Sequence, residues 1–186
     1  MSLSTSQARY SKGAMIFHWL IALLVIVNWQ LAEQAHGPGG NRELMPWHFT
    51  VGITILFLTL GRILWRITHK RPPMNDEHAA WERVLAKIVH TVFYFLLIAL
   101  PLGAWIGMSM RGVDINFWGL FDIPALPFAE NKQTAGQILD IHGSIAGAMM
   151  WLIALHILGA LKHTFWDKDG ELFKMLPFGR VGKKSL

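Results

Sequence analysis

Four long apolar runs dominate the chain, at residues 14–32, 47–65, 88–110 and 141–166. Each is long enough to cross roughly 30 Å of hydrocarbon as a helix, for which about 20 residues suffice. The stretches between them, HGPGGN, KRPPMND and DIPALPF, hold the residues that stop helices and build turns. No fifth span, internal repeat or low-complexity tract is apparent. The pattern predicts an all-α architecture over residues 1–186, an integral membrane four-helix bundle. Pro101, inside the third run, is expected to kink its helix and free a backbone carbonyl that neighbours must satisfy.

Charge sets the expected orientation. Fourteen of the seventeen Lys and Arg residues fall at the N-terminus (Arg9, Lys12), around the second connection (Arg62, Arg66, Lys70, Arg71, Arg83, Lys87) and towards the C-terminus (Lys162, Lys168, Lys174, Arg180, Lys183, Lys184). Only Arg42, Arg111 and Lys132 belong to the other side. The positive-inside rule therefore puts both termini in the cytoplasm. It also assigns the sequence pI of about 9.7 to topology, so nucleic acid is not an expected partner. Arg62 and Arg66 are expected to snorkel to the cytoplasmic interface. Trp19, Trp29, Trp47, Trp65, Trp105 and Trp166 fall near predicted helix ends, as an interfacial aromatic belt requires. The polar N-terminus MSLSTSQARYSKG and the lack of a small-residue cleavage site argue against a removed signal peptide. The C-terminal GELFKMLPFGR has the mixture of apolar and basic residues suited to lying in the interface.

A hydrophobic fraction of 53% and a mean hydropathy of +0.35 agree with a membrane protein. The absence of cysteine excludes disulfides, iron–sulfur clusters, thiolate nucleophiles and covalent c-type haem attachment. Histidine is left as the metal ligand. Of nine, His36, His69 and His78 fall in connections, while His18, His48, His90, His142, His156 and His163 lie in or at the ends of apolar runs. An imidazole in hydrocarbon calls for a partner or a metal.

His142 and His156 are fourteen residues apart, which brings them within about 40° of the same helix face and about 21 Å apart along the axis. That spacing suits two haems stacked across a bilayer. Depth pairs His48 with His142 at the outer level and His18 with His156 at the inner level. His90 rivals His18 for the inner pair, and is otherwise a candidate contact for a quinone oxygen or a haem propionate. His163, seven residues beyond His156, is a candidate for the same contacts or for the interface. Gly52, Gly143 and Gly147 lie near the ligands, where small residues serve either a flat macrocycle or close helix packing. Two filled axial positions leave no open site on iron, so outer-sphere electron transfer is the expected chemistry.

The stretches FHWLIALLVIV, WHFTVGITIL, LGRILWR, KIVHTVFYFLLIALPLGAW, MRGVDINFWGL and ALHILGALKHTFWDKDGELFKMLP resemble the bacterial cytochrome b561 group over most of the chain. The resemblance implies a four-helix dihaem protein of the bacterial inner membrane, surrounded by lipid, with two b-type haems. It is greatest to members that take single electrons from periplasmic superoxide and reduce ubiquinone. Arg111 matches a family motif and, with Arg42 and Lys132, is a candidate for drawing superoxide to the outer haem, although the outer connections carry six acidic residues against these three cations. His90, His163 and Trp166 are candidate neighbours of the quinone. The competing readings are a haem-bearing subunit that relays electrons between a quinone and a redox partner protein, and a non-redox scaffold whose histidines merely hydrogen-bond across helices.

Overall fold

The computed structural model describes residues 9–70, 72, 79–179 and 181. Expectations that fall on residues 1–8, Arg71, residues 73–78 (His78 among them), Arg180, Lys183 and Lys184 lie outside the described residues. Four helices, all long and apolar enough to cross a membrane, make up most of the described chain: α1 (Lys12–His36), α2 (Met45–Thr68), α3 (Ala80–Ser109) and α4 (Lys132–Lys162). Each begins before the apolar run that predicts it; α1 and α2 also end beyond theirs, whereas α3 stops one residue short of the end of its run and α4 four residues short. The extension is largest in α3 and α4, which begin eight and nine residues before their runs. Hydropathy reports only the part of a helix that needs lipid, whereas caps decide where the backbone starts to wind. Asn131 accepts the Thr134 N–H and opens α4 in polar sequence. Ser11 does the same for α1 through the Ala14 N–H.

The connection between α3 and α4 is correspondingly shorter than the hydropathy pattern suggests, and it is not all irregular. Strands β1 (Ile115–Phe117) and β2 (Phe121–Ile123) pair antiparallel, a small departure from an all-α chain. Their turn places both Trp118 (φ 56°) and Gly119 (φ 72°) in the left-handed region, which matches the twist of a hairpin. The hairpin is strapped to α2: the Trp118 backbone N–H donates to Thr50 Oγ1, and its indole N–H donates to Thr54 Oγ1, both at 3.0 Å.

Helices α1 and α2 pack closely, as do α3 and α4, with α2 and α3 joining the two pairs; α4 makes at most isolated close backbone approaches to α1 and α2. The best-buried apolar cluster draws on every helix, with Ile21 from α1, Val51 and Ile55 from α2, Leu97 from α3 and Met149 from α4. Met149 lies seven residues from both His142 and His156, so this apolar layer sits midway between the two histidine levels.

The two ends of the described chain lie at the same end of the bundle, the terminal face. The C-terminal segment is tied across that face to the start of α1. The Tyr10 N–H donates to the Lys174 carbonyl at 3.1 Å, the Trp19 indole to that of Met175 at 2.7 Å, and Arg9 to those of Pro177 and Gly179. The Trp65 indole donates to Ser11 Oγ at 2.9 Å and that of Trp105 to the Pro124 carbonyl at 3.3 Å. Tryptophans expected simply to face the interface therefore also fasten the ends of the bundle.

Gly13 marks a close approach of α1 and α2, because a Cβ there would collide with the Trp65 indole. Gly13→Val is expected to cost about 1–3 kcal/mol through overpacking, seen as a lower thermal midpoint in detergent. Adding Trp65→Ala should recover part of that loss if the collision is its cause.

Candidate functional site

At the end of the bundle opposite the terminal face, His48 on α2 and His142 on α4 approach with ring centres 6.1 Å apart and planes at 86°. Each ring is held from a helix other than its own. His48 Nδ1 lies 3.0 Å from the Asn28 carbonyl on α1, and His142 Nδ1 lies 3.0 Å from the Leu100 carbonyl on α3. A carbonyl only accepts, so each Nδ1 carries the proton and each Nε2 presents a lone pair. All four helices thus define this level.

The second level holds three rings. His156 on α4 is 6.5 Å from His18 on α1 and 5.8 Å from His90 on α3, measured between ring centres, with planes at 78° in both cases. Phe93 closes on His156 at 5.4 Å. His18, His48, His142 and His156 are half-buried, whereas His90 is exposed.

These distances test whether a metal fits between the rings. A metal–imidazole bond of about 2 Å, added to about 1.1 Å from nitrogen to ring centre, sets two trans imidazoles about 6.2 Å apart, centre to centre. The 6.1 and 6.5 Å pairs meet that requirement. Beside His48 and His142 lies a cavity of about 910 Å³, lined also by Asn28, Gly52, Gly143, Gly147-facing Trp29 and Arg111, at the upper end of the 300–1,000 Å³ usual for ligand pockets. A Cβ built on Gly143 would meet nothing within 4 Å. Asn28 Oδ1 is buried there and, among the described residues, has no hydrogen-bond partner. The residues present therefore fit a flat, axially ligated group.

The charged candidates separate. Arg111 lines the cavity, with Glu33, His36 and Asp140 also on its wall. Arg42, in a short 3-10 turn (Arg42–Leu44), and Lys132, at the start of α4, are exposed and outside that lining. On the terminal face, α4 runs into a π-helical turn (His163–Asp167). Lys168 (φ 54°) and Gly170 (φ 76°) then turn the chain back. This brings Asp169 Oδ2 to 2.7 Å from His163 Nδ1, while Asp167 Oδ2 lies at 3.0 Å. The three groups are near enough to share a metal ion, but Lys162 already neutralises Asp167 at 2.8 Å. Trp166 projects outward and is exposed.

Sequence reasoning missed several of these residues. Asn28, a lone amide in the run LLVIVNWQL, was legible as an anomaly. The Leu100 carbonyl carries no side-chain signal, and the Asp169 contact depends on a turn that periodicity does not encode.

The family model described as prokaryotic cytochrome b561 matches residues 9–178. The chain belongs to the prokaryotic cytochrome b561 family. It is 34% identical to the probable superoxide oxidase of Yersinia pestis, over 91% of this chain and 96% of that protein. It is 28% identical to cytochrome b561 homolog 2 of Escherichia coli K12, over 95% of each, and 26% identical to homolog 1 from the same organism, over 91% and 97%. This b561-family chain is accordingly a multi-pass membrane electron-transfer protein and an oxidoreductase, and its family implies b-type haem.

Because Gly143 faces open cavity, a side chain there meets the ligand space before it meets protein. Gly143→Leu is expected to lower haem bound per chain while helical content is unchanged, as read by a pyridine haemochromogen assay beside circular dichroism.

Proposed function

We propose that the protein holds two b-type haems, one between His48 and His142 and one between His18 and His156, and moves single electrons from superoxide to ubiquinone. The observation that carries this reading is the pair of ring-centre distances, 6.1 and 6.5 Å, on helices that do not pack closely against each other. His18 is preferred to His90 on the same ground, since a planar macrocycle needs helices held apart and α3 packs along α4. The haems held by these histidine pairs would supply a one-electron couple for outer-sphere transfer.

The chain's own residues then divide the work. Asn28 and Leu100 fix the tautomers of the ligands at one level. Arg111, on the wall of the adjoining cavity, supplies local positive potential for an anionic donor. On the terminal face, His163 and the exposed Trp166 offer a hydrogen-bonding ring and an aromatic surface for a quinone headgroup. Two superoxide anions release two molecules of oxygen and two electrons; the quinone takes up those electrons with two protons. The excess of Lys and Arg at the terminal face supports a cytoplasmic position for it, and hence a periplasmic donor site in a bacterial inner membrane. The 34% identity to a probable superoxide oxidase supports the choice of donor.

The purified chain is expected to contain two haems and to reduce ubiquinone under a superoxide flux with no second protein. One haem or none would overturn the reading, and activity that appears only with an added subunit would favour a relay role. His48→Ala and His142→Ala should each remove the same one of two haems, distinguishable by redox titration; retention of both after either change contradicts the pairing. Arg111→Glu should slow reaction with superoxide about tenfold at low ionic strength, with the deficit shrinking as salt screens the charge.

A further inference from the structure

Arg62 and Arg66 stand one turn apart on α2, near the terminal face, with Tyr94 of α3 between them. Their guanidinium carbons are 5.4 and 5.2 Å from the centre of the Tyr94 ring, and Arg66 Nη1 is 3.4 Å from Tyr94 Oη. Like charges at this spacing repel one another. Arg62 is half-buried and, among the described residues, makes no hydrogen bond or ion pair. A ring face attracts the cation but satisfies none of its five N–H donors.

No carboxylate of the described helices is available to it. Helix α2 has no acidic residue. At the same end of the bundle, Glu82 and Asp167 are held by Lys162, Asp169 by His163 and Glu171 by Lys174. An uncompensated cation in an apolar bundle is costly, so an anion is called for. Arg62 is also six residues inside the end of α2, about 9 Å below it, at the level of the three-histidine cluster. It lies within electrostatic range of His18, His90 and His156.

We infer that Arg62, with Arg66 beside it, is an oxyanion-binding site for the propionate carboxylates of the haem between His18 and His156. The inference rests on the two-haem reading. A b-type haem brings two carboxylates, matching two guanidinium groups, and the planar fork of arginine suits a carboxylate. A lipid phosphate offers similar chemistry, but Arg62 sits at histidine depth rather than at the helix end, which favours the propionate. The pairing would also tie the macrocycle's orientation to α2, a helix that supplies no ligand at this level. Positive charge beside the iron favours its reduced state.

The test is a redox titration of Arg62→Met and Arg62→Lys in phospholipid-free dodecyl maltoside and in phospholipid nanodiscs, after counting haems. Arg62→Met should keep two haems and lower the equilibrium constant for reducing one of them at least tenfold, 59 mV for a one-electron couple, without moving the other. Arg62→Lys should stay within about threefold of the parent, because charge is retained. The shift should appear in both media. Unmoved potentials overturn the inference, and a shift confined to phospholipid assigns Arg62 to a headgroup phosphate and overturns it equally. Should Arg62→Met not accumulate, Arg62→Gln is titrated instead against the same criteria. Fewer than two haems in the parent chain would defeat the two-haem reading itself, a failure distinct from that of the arginine site.

Discussion

An imidazole has two nitrogens, and inside an apolar bundle neither can turn to water. At the His48–His142 level the structure meets half of that demand with backbone: the Asn28 and Leu100 carbonyls accept from the two Nδ1–H groups. Each acceptor belongs to a helix that contributes no ring to the pair. The rotation of all four helices about their axes is therefore coupled at one depth. Any helix that turned out of register would strand a buried donor, at a cost of about 1–3 kcal/mol. The two Nε2 atoms are what remains to be satisfied, and the iron of the proposed haem would complete the set.

The rest of the bundle keeps the two histidine levels apart. The buried layer of Ile21, Val51, Ile55, Leu97 and Met149 lies between them, where close packing is compatible with all four helices meeting. Above and below it α4 stands off from α1 and α2, and the space goes to rings and, at one level, to the cavity. The ends are closed by polar ties. The hairpin is pinned to α2 through Trp118, and the C-terminal segment is laced to the start of α1 through Arg9, Tyr10 and Trp19. Their hydrogen bonds satisfy backbone and indole groups where the chain leaves regular helix.

Charge follows the same division of depth. Acids and lysines on the terminal face neutralise one another, as Lys162 does with Glu82 and Asp167 and Lys174 does with Glu171. Arg62, deeper in the bundle, is outside these pairs, and the proposed carboxylate site gives that difference a purpose. His163 differs from the other helical histidines in having carboxylate partners on its own chain segment, which suits a ring that works at the surface.

Much of this was readable in one dimension. The rise and turn of a helix are fixed by covalent geometry, so the separation and shared face of His142 and His156, the depth matching with His48 and His18, and the existence of four spans followed from residue spacing alone. The helix starts in polar sequence and the hairpin did not. Caps, turns and strand pairing depend on local contacts that hydropathy averages away, and the three-ring cluster depends on which helices pack closely and which stay apart. Sequence by itself determined how deep each group sits. Only the tertiary structure decided what lies beside it, because lateral neighbours such as Asn28 and His48, Leu100 and His142, or Arg62 and Tyr94 come from different helices and meet through packing, not through spacing along the chain.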